Sequence, residues 1–157
     1  MVDAKVLCEF TQHCSDSMEG EKFLPITSLV VSNDGQWLAA GDQHNRINIF
    51  NLDTLKHHVQ LPKMTSLHTC LAFYDASTLV IACASNEFFL YDVERKQMNA
   101  WTRTNSSHLP YQWLRKNSKI VGISVDNSSP KNRSLILHDH YSMAFVDLSK
   151  VCWLICN

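Results

Sequence analysis

"ITSLVVSNDGQWLAAGDQHNRINIFNL", Ile26 to Leu52, decides the fold, because it reads either as a lone hairpin or as one copy of a recurring unit. "ITSLVVS" is β-branched and apolar, the residue mix that favours a pleated strand. "NDG" then turns the chain, since Asn and Gly tolerate positive φ. "QWLAAGD" is a second short strand, "QHN" a second turn, and "RINIFNL" a third strand that alternates apolar and polar residues. After the polar turn "DTLK", the segment "HHVQLP" supplies a weak fourth strand that ends at Pro62. Four short strands joined by tight turns result.

The same order returns further along. "LHTCLAFY", "DAS", "TLVIACAS", "NEFFLYDV", "ERK" and "QMNAW" lay out a second unit, with "QMNAW" as its fourth strand. "KIVGISVD", the turn "NSSPKNR", "SLILHDH" and "SMAFVDL" lay out a third. Leu52, Val93 and Leu148 occupy one place in the three units, 41 and 55 residues apart, the second gap being longer because its joining segments are longer. A period of about 40 residues per four strands is that of a propeller blade. One such sheet cannot cover its own two faces, so blades bury each other by stacking around an axis. No segment holds an apolar stripe at helical spacing across three turns; "ERKQMNAWTR" is mostly polar and falls where a fourth strand belongs. The expectation is an all-β chain: a partial propeller of about three four-stranded antiparallel blades. Residues 1–25 read as the end of a preceding blade plus a polar loop, 26–150 as the three blades, and 151–157 as an irregular or truncated tail. Since rings use about four to eight blades, a longer protein or an open array is implied.

The blade units resemble diverged WD repeats, whose third strand ends in an aromatic followed by an acid. The pairs here are Phe50-Asn51, Tyr91-Asp92 and Val146-Asp147, and the usual acid of the preceding turn is replaced near His44, Ser85 and His140. A closer resemblance, from about Ile26 to Lys150, is to the cirhin family, WD-repeat proteins of the small-subunit processome, in their C-terminal propeller. "ITSLVVSNDGQWLAAG", "LVIACASNEFFLYDVERKQMNAWTR" and "LILHDHYSMAFVDLSK" carry it. The resemblance implies a non-catalytic scaffold of the nucleolus that holds other processome subunits during pre-ribosomal RNA processing. It brings no catalytic, cofactor or metal residues. An adaptor of another complex, or a propeller that touches RNA directly, are the alternatives.

Composition fits that picture. At 45% apolar, 18% charged and net charge −1, the chain has no overall field for nucleic acid or acidic membrane. Locally, Glu94 to Arg133 carries eight Lys/Arg against two acids. There "WTRTNSSHLPYQWLRKNSK" interleaves Trp101, Tyr111 and Trp113 with Arg103, Arg115, Lys116 and Lys119; the first expectation is aromatics packed between blades with the cations solvated, and the alternative is stacking of bases with neutralisation of phosphate. The opening "MVDAKVLCEF" lacks a secretory layout, so the chain reads as intracellular, its six scattered cysteines as reduced thiols and its Asn-x-Ser sequons as chance. No run approaches the roughly 18 apolar residues of a membrane span.

Enzymatic readings meet poor material. His57 and His58 are adjacent, so on a strand they face opposite ways. His138-x-His140 and His68-x-Cys70 are two-ligand fragments, and His13-Cys14 has no third partner. Four glycines in all leave no phosphate cradle, and there is no Gly-x-Ser-x-Gly elbow. The expected core is Leu29, Val31, Leu38, Ile47, Ile49, Leu71, Phe73, Val80, Phe88, Leu90, Val121, Ile123, Leu135, Leu137 and Phe145.

Overall fold

A computed structural model describes residues 8–10, 14–15, 22–105, 109–126, 134–149 and 152–156. The expected turn over 127–133, residues 5–7 of the first expected strand, and His13 lie outside them.

Three four-stranded antiparallel sheets carry the chain, each a simple meander. Blade 1 is β3 (Ile26–Val31), β4 (Trp37–Asp42), β5 (Ile47–Asn51) and β6 (Lys56–Gln60). Blade 2 is β7 (His68–Phe73), β8 (Thr78–Cys83), β9 (Phe88–Asp92) and β10 (Gln97–Met98). Blade 3 is β11 (Gly122–Asp126), β12 (Ser134–His138), β13 (Met143–Asp147) and β14 (Cys152–Cys156). The first strands β3, β7 and β11 are neighbours, so they line the axis and the blades fan outward. A small ladder, β1 (Cys14–Ser15) with β2 (Lys22–Phe23), precedes them.

Turn chemistry fixes the register. In the Asn33-Asp34-Gly35 turn, Gly35 takes φ 78°, and the Asp34 carboxylate accepts from Ser32 Oγ at 2.5 Å and Gln36 N at 3.1 Å. Asp75 does the same work in blade 2, accepting from Ser77 N, Thr78 N and Thr78 Oγ1. The second member of each WD-like pair caps the turn after its strand. Asn51 accepts from Thr54 N at 2.8 Å, Asp92 from Arg95 N at 2.9 Å, and Asp147 from Ser149 N at 2.9 Å.

Two cores lie between the blades. Trp37, Ala39, Ile47 and Ile49 of blade 1 meet Phe73, Leu79, Ile81 and Tyr91 of blade 2. Val80, Phe88 and Leu90 on the other face of blade 2 meet Leu135, Leu137, Ala144 and Val146 of blade 3. Alternate residues of one strand thus serve different cores, as the period of two requires.

The sequence reading needs three corrections. Leu29 (64% exposed) and Val31 (47%) are not buried, and neither is Val121. Leu29 and Val31 lie on the face of blade 1 turned away from blade 2, and alternation alone cannot say which face has a neighbour. Second, "QMNAW" is not a full fourth strand: β10 stops after two residues and gives way to helix α1 (Ala100–Asn105). Asn99 Oδ1 accepts from Trp101 N at 2.9 Å and starts the helix, while Thr102 Oγ1 accepts from Leu90 N at 2.7 Å and donates to Leu90 O. A threonine hydroxyl therefore satisfies the edge of β9 where strand backbone would have. Third, the tail expected to be irregular is β14, paired from Met143↔Cys156 to Asp147↔Cys152, so blade 3 runs past residue 150. Near the N-terminus, residues 8–10 form no strand; Phe10 packs tilted against Phe50 with ring centroids 4.1 Å apart.

Candidate interaction surface

In a meander, the turn between the second and third strands and the connector to the next blade fall at the same end of the sheet. At that end the structure repeats one device. Asn45 (φ 65°) and Asn86 (φ 63°) occupy equivalent turn positions in the left-handed region, which asparagine tolerates better than most residues. Both are buried. Asn45 Nδ2 donates to Met64 O (3.3 Å) and Ser66 O (2.9 Å), and its Oδ1 accepts from His68 N (2.9 Å). Asn86 Nδ2 reaches Trp113 O (3.4 Å), Lys116 O (3.0 Å) and Ser118 O (3.1 Å), and its Oδ1 accepts from Ile120 N (3.2 Å). One amide in each turn thus latches the incoming connector. These two residues stand one place beyond the His44 and Ser85 positions noted in the sequence. Their signal was an Asn three residues after the strand end, which single-chain patterning does not separate from an ordinary turn.

His68 completes the first latch. Its Nδ1 faces Asn45 Oδ1 at 3.1 Å, and because Asn45 Nδ2 is committed to carbonyls, that oxygen must accept and Nδ1 must carry the proton. Nε2 lies 3.1 Å from Thr27 Oγ1. Burial lowers the His68 pKa below its ordinary value, with the Asp42 carboxylate opposing. A Cβ at Gly41 would lie 2.3 Å from Nε2 and 2.5 Å from Ser28 Oγ, so a larger residue there would have to displace the His68 and Ser28 side chains.

The second connector is longer and carries helix α2 (Tyr111–Leu114). Trp113 is buried, with Lys116 Nζ 4.8 Å from its ring centroid. Lys116 Nζ also lies 2.8 Å from Asp139 Oδ2 and bonds Ser142 Oγ. The Asp139 carboxylate accepts further from Tyr141 N (2.6 Å), Ser142 N (2.8 Å) and Ser142 Oγ (2.9 Å). Burial alone would raise its pKa; the Lys116 ammonium and these donors outweigh that and hold the carboxyl well below the usual range. The connector is therefore tied to blade 2 through Asn86 and to blade 3 through Lys116.

What remains outward is Tyr111, 64% exposed with the Arg115 guanidinium 4.7 Å from its ring centroid, together with exposed Arg115 and Lys119. Tyr141, 83% exposed, stands on the turn that Lys116 grips. Of the interleaved residues, Trp101 stacks on Phe88 (5.1 Å) and Trp113 is core, while Arg103, Tyr111, Arg115 and Lys119 face solvent. Trp101 and Trp113 thus pack into the second core, while Tyr111 and the three cations stay open.

The other candidates have local roles. His57 Nε2 meets Asn48 Oδ1 at 3.1 Å, and His58 Nε2 meets Val93 O at 3.0 Å on the opposite face. His138 and His140 line a shallow cleft of about 280 Å³ with Cys156. Among the described residues no group of three or more His, Cys, Asp or Glu is placed to hold a metal, and no helix is long and apolar enough to cross a membrane. Burial pushes the Cys70 thiol up to about 11 and Cys83 up to about 12, so both stay protonated near neutrality.

No protein-family profile matches the chain. Sequence comparison nonetheless finds relatives. The chain resembles U3 small nucleolar RNA-associated protein 4, also called cirhin. Identity is 32% over 123 residues with the proteins of Homo sapiens and Mus musculus, covering 77% of this chain. For the protein of Schizosaccharomyces pombe it is 27% over 107 residues, 67% of this chain. The matched region spans 18% of the mammalian proteins and 15% of the yeast one, so the chain corresponds to under a fifth of these cirhins. Among solved structures, the Dos1 propeller superposes with a TM-score of 0.66 over 90% of this chain and 38% of that one, at 16% identity. That likeness establishes the fold, a partial β-propeller.

Proposed function

We propose that this chain belongs to the cirhin family and serves as a non-catalytic scaffold of the nucleolar small-subunit processome, holding other protein subunits while pre-ribosomal RNA is processed. The observation that carries the reading is the 32% identity over 77% of the chain to a protein named for its association with U3 small nucleolar RNA. The geometry supports it: two buried amides and an ion pair with a buried carboxylate hold the inter-blade connectors in place, and the exposed groups of the longer connector form a surface on a stiff frame. Affinity capture of the tagged chain from nucleolar extract, followed by measurement of U3 RNA, tests the reading. Strong enrichment of U3 over unrelated small RNAs is the expected result; capture of another assembly without U3 would make the chain an adaptor elsewhere.

Direct contact with pre-ribosomal RNA is the second reading, favoured by exposed Tyr111 with Arg115 stacked on it and Lys119 nearby in sequence. Stacking on an open aromatic face with cations beside it suits unpaired bases. Affinity for single-stranded RNA should then fall steeply as salt rises, and an Arg115→Ala/Lys119→Ala variant should flatten that slope.

A further inference from the structure

The turn between the second and third strands carries the same Asn latch in blades 1 and 2 but different charges. Asp42 N donates to Arg46 O as Cys83 N donates to Glu87 O, so Arg46 of blade 1 stands where blade 2 has Glu87. The buried Asp42 carboxylate accepts from Arg46 Nε at 2.8 Å, Arg46 N at 3.0 Å and His44 N at 2.9 Å, which fixes the guanidinium against the turn. Beside it opens a cleft of about 410 Å³ whose walls include Leu24, His44, Arg46, Gln60, Leu61 and Lys63. No carboxylate lines this cleft, and among the described residues none is paired with exposed Lys63. On the other side of the same turn, a second cleft of about 250 Å³ is bordered by Thr27, Asp42, Gln43, His68 and Leu67, the last 58% exposed.

We propose that this corner of blade 1 docks an acidic segment of another protein, one carboxylate entering the cleft between Arg46 and Lys63 and a neighbouring apolar side chain settling on Leu67. The inference rests on the scaffold reading above and names the chemistry of the subunit that is held. Blade stacking does not require a basic cleft here, since blade 2 builds the same latch with an acid at the corresponding place. Charge complementarity commits the occupant: Asp42 balances Arg46, and an incoming carboxylate supplies the counter-charge that Lys63 lacks. RNA fits this corner less well. A net charge of −1 gives no field for a polyanion, and aliphatic Leu67 offers no ring on which a base could stack. The corner is built from residues 24–68 and opens at the connector end, not on an outer blade face.

Fluorescence anisotropy with the purified chain tests this. The probes are a labelled peptide alternating aspartate and leucine, the same peptide with asparagine for aspartate, and a single-stranded uridine oligonucleotide. The acidic peptide should bind saturably in the micromolar range, and the neutral one about tenfold more weakly. Lys63→Glu should weaken the acidic peptide by about tenfold and Leu67→Asn by about threefold. Both side chains are exposed, so β circular dichroism should be kept. Lys56→Glu makes the same charge change at the opposite end of blade 1 and should leave binding unaltered. Binding of the oligonucleotide should not respond to Lys63→Glu. Absence of acidic-peptide binding would overturn the proposal, as would equal binding of the neutral peptide or an equal loss in Lys56→Glu. An oligonucleotide held more tightly than the acidic peptide and released by Lys63→Glu would give the corner to RNA instead. U3 recovery is read separately: failure to recover U3 while peptide binding still depends on Lys63 would strike the processome reading alone.

Discussion

The junction between blades 1 and 2 and the junction between blades 2 and 3 use the same latch on connectors of very different length. In the first, residues 61–67 cross directly, and Asn45 grips Met64, Ser66 and His68. In the second, residues 99–121 cross, and Asn86 still grips four backbone groups between Trp113 and Ile120. The added length goes into α1, which finishes the edge of β9, and α2, which carries Tyr111 and Arg115 outward. It also gains a second anchor, the Lys116–Asp139 pair, for which no counterpart is described at the first junction. A blade frame can therefore lengthen a connector for binding without loosening it, provided the final turn into the next blade is still held.

The severest way to break the comparison is to destroy the core of the first junction. Phe73→Asp buries an uncompensated charge between blades 1 and 2 and should destabilise by more than about 4 kcal/mol, enough to abolish the folded circular dichroism signal. A soluble variant with unchanged strand content would refute the blade assignment. Next come the latches: Asn45→Ala and Asn86→Ala should each lower the unfolding free energy in urea by about 2–4 kcal/mol, combining orphaned backbone groups with a positive φ that alanine resists. Comparable losses at both sites would show that the latch works regardless of connector length.

Lys116→Met separates the junctions. It should destabilise by roughly 1–3 kcal/mol at neutral pH, because the Asp139 carboxylate stays buried with its other donors. The sign with pH follows from the lowered Asp139 pKa: the pair's contribution is full above the ordinary carboxyl value and disappears as pH falls through the lowered one. Wild type and Lys116→Met should therefore begin to converge below about pH 4 and meet only as pH falls through the lowered Asp139 value. The first junction responds in a different window. His68 is held neutral by burial, so the unfolded chain takes up a proton before the folded one does, and stability should fall as pH drops below about 6.5. His68→Gln should reduce that slope in urea titrations. The smallest effect belongs to the surface: Tyr111→Ala/Arg115→Ala should change stability by under about 0.5 kcal/mol while reducing U3 recovery in the capture experiment.

The repeat was legible because turn chemistry and alternation are local: "NDG", Asp75 and the Asn51, Asp92, Asp147 caps can be read residue by residue. Burial on a chosen face was not legible. Leu29 and Leu71 look alike in sequence, and only the neighbour of blade 2 makes the latter core. Helix α1 was hidden because the pull of Thr102 toward Leu90 is a contact across twelve residues, not a periodicity. Tyr111 and Trp113 sit in one short polar run, yet one is open and the other buried; the division depends on Asn86 and Asp139, both distant in sequence.

Amide hydrogen exchange along residues 109–121, in wild type and in Asn86→Ala, tests most directly whether the long connector is held as firmly as the short one. The account predicts that Ile120 and its neighbours in the wild type exchange nearly as slowly as β8, and that Asn86→Ala accelerates this stretch while leaving β8 protected. Free exchange across the connector of the wild-type chain would contradict it.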